Sequence, residues 1–197
     1  MRKILFLMFL LAIIAIPAEG QRRVYGLNGK PAPTWEVDSW INLPEGKTTV
    51  DIADYKGKVV YLYCFQSWCP GCHSRGFPTL QTLTKRYQGD DAVVFVAVQT
   101  VFEGFSSNTP ERAKECAEQF SLTIPVGHSG TKGEYSKLMR AYRTGGTPWT
   151  IIIDRKGIVR YNDFHIEPKR AVRLINGLKK TADAVQKDND QPAAETQ

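Results

Sequence analysis

Val59-Val60-Tyr61-Leu62-Tyr63-Cys64-Phe65-Gln66-Ser67-Trp68-Cys69-Pro70-Gly71-Cys72-His73 is the stretch that decides the fold. Val59 to Phe65 is an unbroken apolar run, the pattern of a strand buried on both faces. Beyond it Phe77, Leu80, Leu83 and Tyr87 recur at helical spacing. Two cysteines separated by two residues, between a strand and a helix, have the layout of a redox dithiol. Unpaired N–H groups and the positive dipole end at a helix start favour a thiolate over a thiol. Cys69 to His73 also spell C-x-x-C-H, the attachment pattern of a covalent haem. A zinc reading from Cys64, Cys69, Cys72 and His73 lacks a second spaced pair to close a cage. The rest of the chain separates these readings.

The chain has 197 residues and a formal charge of +6, which suits one mildly basic domain with extensions. Its lysines and arginines are scattered, so there is no nucleic-acid footprint. Arg2 and Lys3 precede the apolar run Ile4 to Ile16, followed by Pro17, Ala18, Glu19 and Gly20. This is the layout of a secretory signal peptide over residues 1–20. The run is short for a membrane span, and an uncleaved N-terminal anchor is the alternative. Export, to the periplasm or another extracytoplasmic space, would place all four cysteines where disulfides persist.

Pro31-Ala32-Pro33 reads as an extended lead-in. Trp35 to Ile41 suggests a short strand pair or a flap over the core, and Thr48 to Ile52 is β-rich. A helix is expected from the dithiol to about Tyr87, kinked at Pro78. Val93 to Val98 is a second buried strand, giving a β-α-β unit with parallel strands. Pro110 opens a helix with Ala113, Cys116, Ala117 and Phe120 on one face. Ile124 to Val126 is a short strand, and Glu134 to Tyr142 a helix stopped at Gly145-Gly146. Trp149 to Ile153 and Ile158 to Tyr161 form a hairpin across Asp154 to Gly157. Pro168 to Leu178 is a closing helix. The domain spans 21–180, and the polar stretch 181–197 is expected to be a disordered tail.

The order and spacing of several motifs then become specific. Trp68 to Cys72 follows a buried strand. Gly146-Thr147-Pro148 precedes a later one, with Ile153 to Gly157 after it. Together these resemble the thioredoxin superfamily. Gly29 to Pro33 and Tyr55 to Val60 resemble its exported TlpA-like branch. The resemblance implies an α/β thioredoxin-like fold: a central mixed sheet flanked by helices, with an N-terminal β extension. It implies a thiol–disulfide oxidoreductase needing no cofactor and no metal. Its partners would be disulfide- or dithiol-containing proteins, with a reducing direction and a membrane redox partner to restore the dithiol.

On this reading Cys69 attacks a partner disulfide and Cys72 resolves the mixed disulfide. His73 and Arg75 are candidates to tune the Cys69 pKa. Pro148 resembles the cis-proline that faces the dithiol, Thr147 before it would bind an extended peptide, and Trp68 would join that substrate surface. The chain departs from its relatives at the proton acceptor. Tyr63 stands where thioredoxins carry a buried aspartate, and Arg75 where the TlpA-like branch often has a glutamate. Pro78 falls one residue late, suggesting an insertion at Arg75-Gly76. Glu103 is a candidate replacement acid. Cys64 and Cys116 read as core residues, with a mutual disulfide as the alternative. A peroxiredoxin-like peroxidase would need P-x-x-x-[ST]-x-x-C, and Leu62 and Gln66 occupy its key positions. A binding or haem-handling module without turnover is the other rival.

Overall fold

The structure, a computed structural model, describes residues 25–189. The signal peptide expected over 1–20 and the last residues of the expected tail, 190–197, lie outside the described residues. Six strands form one mixed sheet in the order β1-β4-β3-β2-β5-β6. They are β1 (Ser39–Ile41), β2 (Val59–Phe65), β3 (Val93–Thr100), β4 (Val126–Ser129), β5 (Trp149–Ile153) and β6 (Val159–Phe164). Helices α1 (Phe77–Arg86), α2 (Pro110–Gln119), α3 (Lys137–Tyr142) and α4 (Pro168–Asn189) accompany them. Strand β2 lies parallel to β3, β3 parallel to β4, and the β5–β6 hairpin runs antiparallel beside β2.

The central strands are those whose residues are apolar throughout. Every residue of β2 and β5 is buried, because helices or chain cover both faces. Alternation along β2 divides the core in two. Val59, Tyr61, Tyr63 and Phe65 face one side with Cys69, Cys72, Phe77, Leu80 and Ile175. Val60, Leu62 and Cys64 face the other with Trp35, Leu138, Tyr142 and Trp149. The N-terminal lead-in is pinned along β6: Gly29 N–H donates to Val159 O, and Val159 N–H to Lys30 O. The Trp35 indole then donates to the Tyr142 hydroxyl, which donates to Pro33 O.

Several expected elements move. The β-rich stretch Thr48 to Ile52 is not a strand. Asp51 caps a 3-10 turn over Ile52–Tyr55, reciprocally with Asp54, and that local closure outcompetes strand pairing. The strand foreseen at Ile124 to Val126 is β4, which begins at Val126. Ser136 caps α3, so the helix starts later than Glu134. Helix α4 runs on through Asn189, so the first part of the stretch expected as a disordered tail is helical. Ala182, Ala184, Gln186 and Lys187, within this stretch, are good helix formers.

The break in the helix after the dithiol falls where expected, but not as a kink inside one helix. A π turn, Cys72–Gly76, precedes α1, and Pro78 lies at the start of α1. The Phe77 N–H donates to Cys72 O, five residues back. Pro78 has no N–H to give to Ser74, so a regular helix is already broken there. A π turn accommodates one residue more than a regular helical turn, and here it spans Arg75-Gly76.

Candidate active site

The carboxyl end of β2 delivers the dithiol. Phe65 ends the strand, and residues 66–68 form a loop whose shape is set from outside. The Ser67 N–H donates to Asn108 Oδ1 at 2.9 Å, and the Ser67 hydroxyl donates to Ser107 O at 2.6 Å. Asn108, buried, turns its amide to the carbonyls of Glu103 and Gly104. This residue binds the loop after β3 to the loop before Cys69, and no sequence motif pointed to it.

Antiparallel pairing places the second half of the site. Cys64 is opposite Trp149, so Thr147 and Pro148 fall beside the end of β2. The Thr147–Pro148 peptide is cis, as the resemblance implied. Pro148 packs on the dithiol turn itself: a Cβ at Gly71 would lie 3.2 Å from its Cδ.

Cys69 and Cys72 are both thiols and both buried, Cys69 at 6% exposure and Cys72 at 0%. Their environments pull them apart. The Cys72 thiol donates to the Cys69 sulfur, and the Thr147 side chain and the N–H groups of Cys72 and Gly71 add to it. Together they outweigh desolvation and bring the Cys69 pKa down to about 6. The Cys72 N–H lies 3.2 Å from that sulfur. Cys72 moves the opposite way: burial first, then its bond to Cys69, raise it far above the ordinary thiol range. One sulfur is thus held ready as an anion and its neighbour is kept protonated.

His73 and Arg75 are not among the groups that lower Cys69. The His73 Nε2–H donates to Ser67 O at 2.6 Å, and its ring packs edge-on against Phe77 and Phe120. His73 therefore braces the loop rather than facing the thiol. Arg75 runs under Gly71, its Nη2 4.0 Å from the position of a Cβ there. Trp68 is half exposed and lies over Gly104. Trp149, next to Pro148, is buried and donates to Asn162 Oδ1, so it belongs to the core. Glu103 is exposed, and it is its backbone carbonyl that bonds Asn108. Cys64 and Cys116 belong to the two separate cores on opposite faces of the sheet. A bond between them is therefore ruled out by the sheet itself, and both are free thiols. Among the described residues, no three His, Cys, Asp or Glu side chains gather as metal ligands.

A family model described as Redoxin matches residues 27–177. The thiol-disulfide oxidoreductase ResA of Bacillus cereus is 29% identical over 131 residues, 66% of each chain. The chain thus spans just under two thirds of that relative, and 56% of the ResA of Geobacillus thermodenitrificans. The crystal structure of a thiol-disulfide isomerase from Corynebacterium glutamicum superposes with a TM-score of 0.65 at 32% identity. That match covers 75% of this chain and 96% of the other. A thioredoxin-like superfamily protein gives a TM-score of 0.69 at 30% identity, covering 76% and 96%.

Proposed function

The chain belongs to the Redoxin family and has the thioredoxin-like fold, and from this we propose that it is a thiol–disulfide oxidoreductase acting on protein partners through Cys69 and Cys72. The observation that carries the reading is the geometry of the pair: the Cys72 N–H lies 3.2 Å from the Cys69 sulfur and the cis Pro148 packs on Gly71 between them, an arrangement that lowers Cys69 and raises Cys72. The Cys69 thiolate attacks a partner disulfide, one partner sulfur departs, and a mixed disulfide remains. Cys72 then attacks the Cys69 sulfur, closing the Cys69–Cys72 disulfide and releasing the second partner sulfur as a thiol. Thr147 and Trp68 line the partner surface beside Pro148. A hollow of ≈ 550 Å³ lies elsewhere on the surface, where Tyr25, Phe102, Tyr135 and Met139 share its lining with Arg140 and Arg143.

The direction we propose is reduction, in an extracytoplasmic space, with a membrane partner restoring the dithiol. The apolar N-terminal run and the ResA-like relatives support this. The test is a redox titration of the dithiol against glutathione, read by thiol alkylation. A potential well below the glutathione couple is expected. A potential well above it would make the protein an oxidant, and the absence of any titrating dithiol would overturn the assignment.

A further inference from the structure

Exchange through Cys69 leaves one demand unmet. Cys72 must become a thiolate while enclosed by protein, and neither acid expected beside it is present. Tyr63 stands at one of those positions. It is fully buried on β2, its ring stacked on Phe65 and edge-on to Phe77. Its hydroxyl donates a long bond, 3.5 Å, to the Cys72 carbonyl, which sets it beside the Cys72 thiol and within reach of that group's ionisation. The other groups acting on that thiol are the Cys69 sulfur and the Gln66 N–H.

The helix is shaped around this hydroxyl. A Cβ at residue 76 would lie 2.0 Å from the Tyr63 oxygen and 2.6 Å from its Cζ. No residue but glycine admits the tyrosine here. Gly76 closes the π turn that begins at Cys72, so the extra residue, the missing side chain and the tyrosine form one arrangement.

We propose that the Tyr63 hydroxyl is the hydrogen-bond donor that stabilises Cys72 as a thiolate in the resolving step, and that Gly76 provides the space it occupies. This role rests on the exchange reaction proposed above. As the thiolate forms, the hydroxyl turns its one proton from the Cys72 carbonyl to the sulfur without giving it up; burial holds its own ionisation well above the ordinary phenol range. In net terms the proton of Cys72 goes to the departing partner sulfur, the Cys69–partner bond breaks, and the Cys69–Cys72 bond forms. Run backwards, the same hydroxyl stabilises Cys72 as the leaving group, so the role holds for either direction of electron flow.

The test uses the reduced full chain and an aromatic disulfide that releases a coloured thiolate at each step. Attack by Cys69 gives a first release and resolution by Cys72 a second, which Cys72→Ser abolishes. Tyr63→Phe keeps the ring and removes the donor. A hydrogen bond to a charged group carries enough energy to change a rate by about ten- to a hundredfold. The second release should therefore slow by about that factor relative to the first, and its pH midpoint should rise. Fluorotyrosine at position 63, a stronger donor of nearly the same shape, should speed the second release without need of a refolded core. A second release unchanged in rate and pH profile in both variants would overturn the proposal. Loss of the first release in the parent chain would instead overturn the exchange reading, and this role with it.

Discussion

The backbone N–H of Cys72 donates to the Cys69 sulfur across 3.2 Å, and the Cys72 side chain donates to the same atom. The two cysteines are therefore electrostatically unequal before any partner arrives. Alkylation of native reduced protein should titrate with a midpoint of about 6 at Cys69. Cys72→Ala removes the largest contributor and leaves the backbone donors, so the midpoint should rise by about 1–2 pH units. The same asymmetry reaches stability. The folded Cys69 pKa of about 6 lies below its ordinary value of 9.0. Its contribution is full above the ordinary value and is lost as pH falls through about 6. Denaturant midpoints of the reduced protein, measured against Cys69→Ser, should show this rise with pH, and a flat difference would contradict it.

Asn108 gives a different kind of prediction, because it supports the site without touching a sulfur. Asn108→Ala leaves the Ser67 N–H without its acceptor and frees the carbonyls of Glu103 and Gly104. Stability should fall by about 1–3 kcal/mol in urea unfolding. Exchange should slow as the loop loses its anchor. The Cys69 alkylation midpoint should stay near its parent value, because its donors come from Cys72, Gly71 and Thr147. A large shift of that midpoint would mean that Asn108 acts on the thiol after all.

The remaining cysteines should be spectators. Burial pushes the Cys116 thiol up to about 11 and Cys64 higher still. Both should resist alkylation at neutral pH in the folded chain. Mild oxidation should yield one disulfide, Cys69–Cys72, by peptide mapping. Cys64→Ala should cost about 1–2 kcal/mol of stability by the volume it leaves empty, with the redox potential unchanged. A mapped bond to Cys64 or Cys116 would require the sheet to open.

The sequence was readable where one local pattern decides the outcome. Val59 to Phe65 is a strand at both of its foreseen ends because every residue in it is buried, so no polar neighbour blurs the limits. The two cysteines and Pro148 were legible because motif and order coincide. β1 was harder: three residues at the sheet edge, paired only to β4, carry little pattern of their own. Thr48 to Ile52 has strand composition, yet the aspartates at 51 and 54 carried the stronger signal, a reciprocal cap. At the site, Asn108 meets Ser67 across 41 positions, and no short motif encodes such a contact. Tyr63 read as a missing acid. That it occupies the space of an absent side chain at Gly76 is a property of two elements packed together, which neither carries alone.

One extra residue in a helix rotates the turn before it by about 100° relative to the turn after it. The π turn therefore sets the angular phase of the dithiol independently of the apolar stripe of α1. Both Cys72 and Phe77 point inward because of that offset. A deletion of one residue between them would force a choice: either the resolving sulfur swings toward solvent, or the stripe that holds α1 to the sheet does. The spacing is thus held by geometry on both sides, by the dithiol before the turn and by the apolar stripe after it.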